Sequence, residues 1–366
     1  MLSVEEIEEG KRDYWDKKVA EFKSIHPLNA FGWGKVRAVD GWEPTYLMAK
    51  AGDVVVGAIM LLTKRILLTN LSIMYAPRGP LLDDPFDKKT LDALLRGIRV
   101  KAKEKHAIFL RVDPNIMEET ILGTGGDPFL EQGFIHLEQR WTFWNTPRDV
   151  YRIDLTKVRT EDELFETLDR QARKAVRKSR KQGVDILHGQ TLSDLAIFYK
   201  FFREFTVEKG FMSRSYAYQR SLWEEYVTRG NGSLFIAVYQ SQIVGGLICL
   251  IFGKKCLAMH MGTPYQYQHL RPNDAYVWEA IRYAKEKGCK WFSFRGVGSS
   301  PTEKKFKKKF GPEVVSLVGY YDLPFYAFLY RLFYLVEFEI LPRVWPVLMS
   351  IRKKLSDVIN WLRSHT

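Results

Sequence analysis

The chain has few of the residues that build disulfide frameworks and metal centres. Its 366 residues include only three cysteines, Cys249, Cys256 and Cys289, with no CxxC pair among them. The seven histidines show neither HxxxH nor HExxH spacing. An odd and scattered set of cysteines argues against a disulfide framework and against a cysteine zinc site. We therefore expect no bound metal, and a reducing, cytoplasmic setting.

Common catalytic and targeting motifs are also missing. There is no GxSxG, no P-loop and no GxGxxG after a strand, which disfavours a serine hydrolase, a P-loop NTPase and a doubly wound dinucleotide fold. The N-terminus is charged throughout, unlike a signal peptide. The uncharged run 234–253 is interrupted by Gln240-Ser241-Gln242 and then by Gly245-Gly246. This break predicts a β-hairpin rather than a membrane helix.

Positive charge is in excess. Lys and Arg number 56 against 43 Asp and Glu, a formal net charge of +13. A hydrophobic share of 46% is enough to bury a sizeable core. The charge favours a polyanionic partner such as nucleic acid, a phosphorylated substrate or an anionic membrane surface. The alternative is charge that serves solubility alone.

Two basic runs concentrate this charge. Residues 170–181 hold seven basic side chains and no acid, and such a helix repels itself unless a polyanion neutralises it. The second run, 303–309, reads EKKFKKK and is followed by Phe310-Gly311-Pro312, a helix stop. Phe306 and Phe310 share one helical face and can anchor it, so a lysine here is held firmly enough to stabilise an oxyanion. Solvated basic helices are the alternative for both runs.

The sequence also repeats itself. Residues 46–62 and 234–250 both read as strand, short polar turn and strand, with Ala49 matching Ala237 and Gly57 matching Gly245. Residues 102–105, AKEK, recur at 284–287, each time between a helical pattern and a strand. Two matches in the same order favour a duplicated α/β unit.

Periodicity predicts the elements of each unit. The predicted segments of the first unit are helix 4–23, strands 44–50, 53–63 and 71–76, helix 88–105 and strand 107–112. Those of the second unit are strand 151–155, helices 160–182, 191–208 and 216–228, strands 233–239, 242–251 and 255–262, helix 273–287 and strand 290–294. The pattern indicates an α/β (α+β) fold with mixed, mainly antiparallel sheets flanked by helices.

A polar break at 145–149 predicts the boundary between the units. The tail, 318–366, is rich in aromatic and apolar residues. It either packs back on the first unit or presents an amphipathic surface to lipid, and the two can coexist. We therefore expect one domain of 1–146 plus 318–366 and a second of 147–317.

Three weaker candidates lie outside the basic runs. Lys35 follows an aromatic residue before the first sheet. Arg214 and Tyr218 are four apart at a predicted helix start, which suits a phosphate. Asp113 stands just past a strand end, a common place for catalytic groups. The alternatives are surface residues and a turn-forming Asp-Pro.

The ordered motifs resemble the FemABX family of non-ribosomal peptidyltransferases that build peptidoglycan bridges. These motifs are FGWGKV at 31–36, MYAPRGPL at 74–81, RVDP at 111–114, YRIDL at 151–155, RKAVRKSRKQGV at 173–184, GFMSRSYAY at 210–218, FRGV at 294–297 and FKKKFGPE at 306–313. The resemblance implies two tandem GNAT-like domains, with the C-terminal segment returning to the first. It implies transfer of an amino acid from aminoacyl-tRNA to the stem-peptide side-chain amine of lipid II or UDP-MurNAc-pentapeptide, without cofactor.

The resemblance also assigns roles. Lys307 would stabilise the tetrahedral intermediate, and Asp113 would act as a base or orient the amine. Lys35, Arg214 and Tyr218 would hold the phosphates of the muropeptide. The residues expected to meet tRNA phosphates are Arg173, Lys174, Arg177, Lys178, Lys304, Lys305 and Lys308. Departures are Met259-His260-Met261, where tyrosines are common, and Arg295, where a small residue is common.

Rival functions remain at this point. One is an acyl-CoA-dependent N-acyltransferase of the GNAT type acting on another amine, although no pyrophosphate-cradling Gly-rich turn is present. Another is a non-enzymatic RNA- or membrane-binding protein. We expect a monomer in the cytoplasm, with peripheral contact at the inner membrane face as a further option. The residues do not choose between glycine, alanine and serine as the transferred amino acid.

Overall fold

The computed structural model describes residues 2–122, 126–137, 147–208, 213–298 and 300–344. Its strands are β1 Leu2–Glu6, β2 Glu43–Ala51, β3 Val54–Arg65, β4 Ser72–Ala76, β5 Leu81–Leu82, β6 Ala107–Val112, β7 Ile135–Leu137, β8 Asp149–Asp154, β9 Asp185–His188, β10 Gly232–Tyr239, β11 Gln242–Phe252, β12 Lys255–Gly262, β13 Trp291–Ser293, β14 Glu313–Ser316 and β15 Tyr320–Pro324.

The α-helices follow the same chain order. They are α1 Arg12–Val19, α2 Phe31–Ala38, α3 Lys88–Glu104, α4 Glu118–Leu122, α5 Pro128–Glu131, α6 Glu161–Glu166, α7 Arg170–Lys181, α8 Leu192–Glu208, α9 Tyr216–Leu222, α10 Pro272–Glu286, α11 Pro301–Lys308 and α12 Ala327–Leu335. Short π-helical turns extend α9 over Trp223–Val227 and α12 over Val336–Ile340. None of the described helices is long and apolar enough to cross a membrane.

The strands form two mixed sheets. The first has the order β1-β2-β3-β4-β6-β15-β7, with β5 paired to β3, and the second has the order β14-β8-β13-β12-β11-β10-β9. In each, a helix crosses over to a parallel neighbour: α3 joins β4 to β6, and α10 joins β12 to β13. The predicted α/β class with mainly antiparallel sheets is confirmed.

The internal repeat is visible in the pairing register. In β2–β3, Ala49 faces Gly57 and the register then shifts, so that Lys50 faces Val55. In β10–β11, Ala237 faces Gly245 and the same shift follows, so that Val238 faces Ile243. Both hairpins therefore have a β-bulge at the equivalent position. β-bulges are conserved within families, and unrelated hairpins would not be expected to share one at the same place. The register therefore supports duplication of one unit.

Two element predictions were wrong. The predicted helix 4–23 is instead the edge strand β1 followed by the short helix α1, because Leu2–Glu6 pairs with the free edge of β2, a long-range contact that local periodicity cannot report. The predicted helix 160–182 divides into α6 and α7. Asp169 interrupts it, since its Oδ1 accepts a hydrogen bond from Ala172 N at 2.7 Å and so begins a new helix.

The described part of the tail enters the first sheet. β15 lies between β6 and β7. On β6, opposite Asp322 in this pairing, the fully buried Arg111 donates to Asp322 at 2.7 Å and to Glu337 at 2.8 Å. Burial alone would lower the pKa of Arg111, but the two carboxylates outweigh it and raise that pKa. Residues 345–366 lie outside the described residues.

The two sheets share a hydrophobic core. Buried side chains of the first unit, including Phe31 and Trp33, belong to the same cluster as Tyr218, Trp223 and Tyr226 of the second unit. Polar contacts cross the same boundary: Tyr226 donates to Pro27 O at 2.7 Å, and Arg12 pairs with Glu225 at 2.6 Å. This junction brings several candidate residues together.

Candidate active site

Lys307 is a buried residue of the predicted site. It is 7% exposed, and its Nζ donates to Gly296 O at 2.8 Å and to Glu303 Oε1 at 2.6 Å. Burial lowers the pKa of Lys307, the Glu303 carboxylate opposes that effect, and Arg295 adds to it. The ammonium is thus fixed in direction rather than free in solvent, as an oxyanion donor must be.

The local sequence explains this placement. Ser300 caps α11 by accepting from Glu303 N at 3.2 Å. Phe310 is buried against Phe294, with ring centroids 5.8 Å apart, and Phe306 packs on Phe310. The predicted aromatic anchor is confirmed. The helix ends at Lys308, and the chain then turns at Gly311, whose φ of 73° favours glycine.

Asp113 lies at the end of β6, where it is 2% exposed. Its Oδ1 accepts from Arg78 N at 2.7 Å, and its Oδ2 lies 3.7 Å from Arg78 Nε. Arg78 itself has a φ of 53°, a strained value for a side-chain-bearing residue. Its Nη2 also donates to Pro147 O at 3.2 Å. Arg78 therefore ties Asp113 to the segment that enters the second unit.

Pro147 connects the Asp113 side of the junction to the Lys307 side. A Cβ on Gly296 would lie 2.4 Å from Pro147 Cγ and 2.8 Å from Pro147 Cβ. Only glycine allows this approach. Gly296 contributes the carbonyl that orients Lys307, and Pro147 contributes the carbonyl that binds Arg78. A chain of contacts through Gly296, the Pro147 ring and Arg78 therefore links Lys307 to Asp113.

Arg214 and Tyr218 meet as predicted. The Arg214 guanidinium lies over the Tyr218 ring, 5.2 Å from its centroid, and donates to Asp40 Oδ2 at 2.8 Å. The Arg214 side chain is 43% exposed, whereas Tyr218 is 1% exposed. Arg214 therefore offers a tethered cation to solvent, and the tyrosine ring supports it from the core side.

The structure shows what lies at the departures from the family pattern. His260 is buried, its Nδ1 is 2.9 Å from Gln219 Nε2, and its ring packs beside Tyr218. Burial holds the pKa of His260 well below its usual range, with Arg295 and Arg214 acting in the same direction. His260 is therefore a neutral support under Tyr218 and Arg214.

Arg295 is a functional candidate that sequence reasoning noticed only as a departure. It precedes Gly296, has a φ of 67° and is half-buried. Burial lowers its pKa, Tyr218 opposes that effect, and Arg214 adds to it. It also lowers the pKa of Lys307. A half-buried arginine in a strained conformation, with two other cations near enough to affect its charge or be affected by it, is typical of a site that binds an anion. The motif FRGV at 294–297 was the feature of the sequence that could have identified Arg295 as a site residue.

Lys35 is not brought into contact with Arg214 among the described residues. Its Nζ pairs with Glu9 Oε1 at 2.6 Å, and this bond lowers the pKa of Glu9. Asp40, the partner of Arg214, follows the end of α2, the helix that carries Lys35. A shared phosphate site for Lys35 and Arg214 stays a prediction.

The basic residues of α7 and α11 lie on adjoining elements. Asp169 N, at the start of α7, donates to Lys309 O, just past α11, at 2.9 Å. Ala172, Val176 and Ser179 face the core, and the remaining side of α7 is basic. A concavity on this basic side is lined by side chains of α6 and α7: Glu166, Arg170, Arg173, Lys174, Arg177, Lys178 and Lys181. Glu166 pairs with Arg173, an acid that the run itself did not contain.

The outer face of α11 continues this surface. Lys304, Lys305 and Lys308 are exposed. Lys309 instead turns toward Asp274 and the ring of Phe306, 4.4 Å from its centroid. In the described ranges, no group of three or more His, Cys, Asp or Glu side chains could hold a metal ion.

Comparison with known proteins places this geometry in a family. A model of the FemAB family matches residues 15–240 and 227–337. The chain belongs to the FemAB family. It is 19% identical to a lipid II:glycine glycyltransferase of Staphylococcus haemolyticus, over 91% of this chain and 96% of that protein. A relative with the same name from Staphylococcus aureus strain USA300 is 20% identical, with the same coverage.

Solved structures show the same fold for this FemAB protein. A crystal structure of FemX has a TM-score of 0.79 at 18% identity, covering 90% of this chain and 99% of that one. A tandem GNAT protein from the clavulanic acid biosynthesis pathway has a TM-score of 0.52 at 11% identity, covering 88% and 98%. The predicted family and the GNAT-like fold are confirmed.

Proposed function

We propose that this FemAB protein is an aminoacyltransferase of peptidoglycan bridge formation. It moves an amino acid from aminoacyl-tRNA to the stem-peptide side-chain amine of lipid II, or of its UDP-linked precursor. Family membership and relatives named lipid II:glycine glycyltransferase support the reaction class and the acceptor. The observation that carries the chemistry is the buried, doubly held Lys307 ammonium, coupled through Gly296 and Pro147 to Asp113.

The reaction needs positioning rather than an external energy source, because the ester is already activated. The acceptor amine attacks the ester carbonyl, so a C–N bond forms and the carbonyl oxygen gains negative charge. The Lys307 ammonium stabilises that oxyanion. Asp113 orients the attacking amine and takes its proton. The C–O bond to the tRNA ribose then breaks, and the proton taken up by Asp113 passes to the leaving ribose oxygen.

The two substrates approach from different elements. Arg214, supported by Tyr218 and Asp40, binds acceptor phosphate, and Lys35 contributes from α2. The adjoining basic faces of α7 and α11 bind tRNA phosphates, a contact that positions without reading sequence. We divide the chain into 1–146 plus 318–366, on the acceptor side, and 147–317, on the tRNA side. The entry of β15 into the first sheet supports this division. We further propose a monomer that works at the cytoplasmic membrane face.

A transfer assay tests the reaction. Purified protein is mixed with radiolabelled aminoacyl-tRNAs and with either UDP-MurNAc-pentapeptide or lipid II, and label in the muropeptide is measured. Transfer from one aminoacyl-tRNA supports the proposal and identifies the amino acid. Transfer only from an acyl-CoA would replace it with the N-acyltransferase alternative.

Lys307→Met tests the assigned chemistry. We expect turnover to fall roughly 100- to 1000-fold, the effect of losing one oxyanion donor, while acceptor affinity by calorimetry stays near that of the parent. Lys103→Met, an exposed lysine on α3 to which no substrate contact is assigned, is the matched control. Equal losses of turnover in the two variants, or a loss confined to acceptor binding, would remove Lys307 from its role.

The substrate faces have separate tests. Arg214→Ala should weaken acceptor binding in calorimetry with little effect on tRNA affinity. Replacing Arg173, Arg177 and Arg180 together with Gln should flatten the plot of log K for tRNA against log salt by about two to three in slope. Of the three arginines, Arg173 should contribute least to this change in slope, because Glu166 already pairs with it. A parent-like slope would exclude α7 from the tRNA surface.

A further inference from the structure

An apolar surface lies on the first unit, on two elements that none of the proposed chemistry uses. Leu67 and Leu68, at the turn between β3 and β4, are 89% and 106% exposed. Leu68 has a φ of 62°, a backbone state that favours glycine or asparagine over leucine. Two adjacent leucines at an exposed and strained turn do not stabilise the described fold by burial.

The second element is α12. Phe328, Leu332 and Leu335 are 78%, 52% and 48% exposed, and their spacing of four and three places them on one helical stripe. The opposite side of α12, through Leu329 and Phe333, packs on the body of the unit. This helix therefore presents an apolar face outward as well as inward.

The hairpin turn and the helix are anchored on the same hydrophobic cluster. Ile66 and Leu71, which flank the exposed leucines, belong with Leu329, Tyr330 and Phe333 to a group around Phe109. We call the five exposed side chains Leu67, Leu68, Phe328, Leu332 and Leu335 the apolar patch. Contiguous exposed apolar side chains of this kind mark an interaction surface.

Charge around the apolar patch identifies its partner class. Arg65 precedes the hairpin turn and Arg331 lies on the exposed side of α12; both are exposed. The structure records no ion pair for either arginine among its described residues. Glu337, the first acid after Arg331 in the chain, is turned inward onto Arg111 and is 2% exposed. An apolar face bordered by exposed cations is complementary to an anionic lipid surface.

We propose that the apolar patch docks this protein on an anionic bilayer, with its leucines and Phe328 below the headgroups and Arg65 and Arg331 among them. This inference rests on the proposed function, where the acceptor is a lipid-linked muropeptide whose anchor lies in that bilayer. Docking through the first unit would hold the acceptor side of the junction at the membrane surface, while the basic faces of α7 and α11 on the second unit bind tRNA.

A site-specific probe tests the docking directly. All three native cysteines are buried, so Leu68→Cys can be labelled selectively with an environment-sensitive nitrobenzoxadiazole dye. Leu187→Cys, at a position 51% exposed on β9 of the second unit, is the matched control. With vesicles containing phosphatidylglycerol we expect a blue shift and brighter emission at position 68 only. Unchanged emission at 68, or equal changes at both positions, would overturn the proposal.

Partitioning and activity give independent readouts. Leu67→Ser combined with Leu68→Ser should lower binding to the same vesicles by about tenfold or more. It should slow transfer to lipid II in vesicles, while transfer to UDP-MurNAc-pentapeptide stays at the parent rate. Arg65→Glu combined with Arg331→Glu should weaken binding to anionic vesicles. Binding to phosphatidylcholine vesicles should stay at the parent level.

The outcomes separate this proposal from the proposed function. If the parent protein transfers to neither acceptor, the proposed function fails, yet vesicle binding and the dye signal still decide the docking. Parent-like vesicle binding by the leucine variant would overturn the docking. A lower melting temperature, or a changed oligomeric state, with parent-like vesicle binding would overturn it too. Such a result would mean that the chain's own C-terminal segment or a second copy covers the apolar patch.

Discussion

The contact between Gly296 and Pro147 makes a sharp prediction about how the two candidate catalytic residues are coupled. In Gly296→Ala, the new Cβ would lie 2.4 Å from Pro147 Cγ, whereas carbon atoms normally pack at about 3.5–4.0 Å. Residue 296 and the Pro147 ring must therefore move apart by about 1 Å. That shift moves the carbonyls that hold Lys307 and Arg78, and with Arg78 it moves Asp113.

The expected loss of rate is large and the expected loss of stability is modest, so the two effects can be distinguished. Overpacking costs about 1–3 kcal/mol of unfolding free energy, which is less than the stability of about 5–15 kcal/mol that is typical of native proteins. A misplacement of about 1 Å costs roughly 100-fold in rate. We expect kcat/KM in the transfer assay to fall by about that factor, with a modest fall in Tm by calorimetry. Gly10→Ala is the matched control, because a Cβ there meets nothing within 4 Å. Gly296→Ala activity within a few-fold of this control would refute the coupling.

Two further predictions concern buried charges. Since Glu303 raises the pKa of Lys307 and Arg295 lowers it, Glu303→Gln should move the alkaline loss of kcat/KM to lower pH and Arg295→Gln to higher pH. Shifts in the same direction would contradict the assignment of Lys307. Asp322→Asn should cost about 3–5 kcal/mol of unfolding free energy, because it leaves the buried Arg111 guanidinium short of a charge partner. Calorimetry against Asp53→Asn, on an exposed turn, checks this, and equal melting temperatures would argue against a stabilising role for the pair.

Local signals in the sequence were sufficient for much of the fold. The hairpins followed from alternating apolar residues around polar turns, and the duplication followed from Ala49, Ala237 and their glycine partners. The N-terminal segment failed because strand β1 is dictated by the edge of β2, roughly forty residues away in the chain. No local pattern could have paired Arg111 with Asp322, 211 residues later.

The candidate site divides in the same way. Helical spacing correctly brought Tyr218 under Arg214 and set Phe306 and Phe310 inward, and it could also have revealed Glu303 as the partner of Lys307. Spacing could not show that Tyr218 is buried, that Lys35 is paired with Glu9, or that Pro147 meets Gly296. Those contacts depend on how distant segments of the chain pack together. The hydrophobic periodicity of the sequence does not report such packing.

The position of β15 has a consequence for synthesis of the chain. Strands β6 and β7 of the first sheet are separated by a strand that the ribosome makes only after the whole second unit. At roughly 5–20 residues per second, the 211 residues between Arg111 and Asp322 take about 10–40 s to translate. During that interval the second unit can fold from its own strands, while Arg111 has no carboxylate partner and the first sheet has an open gap. Every strand of the second sheet is therefore synthesised before the first sheet can be completed.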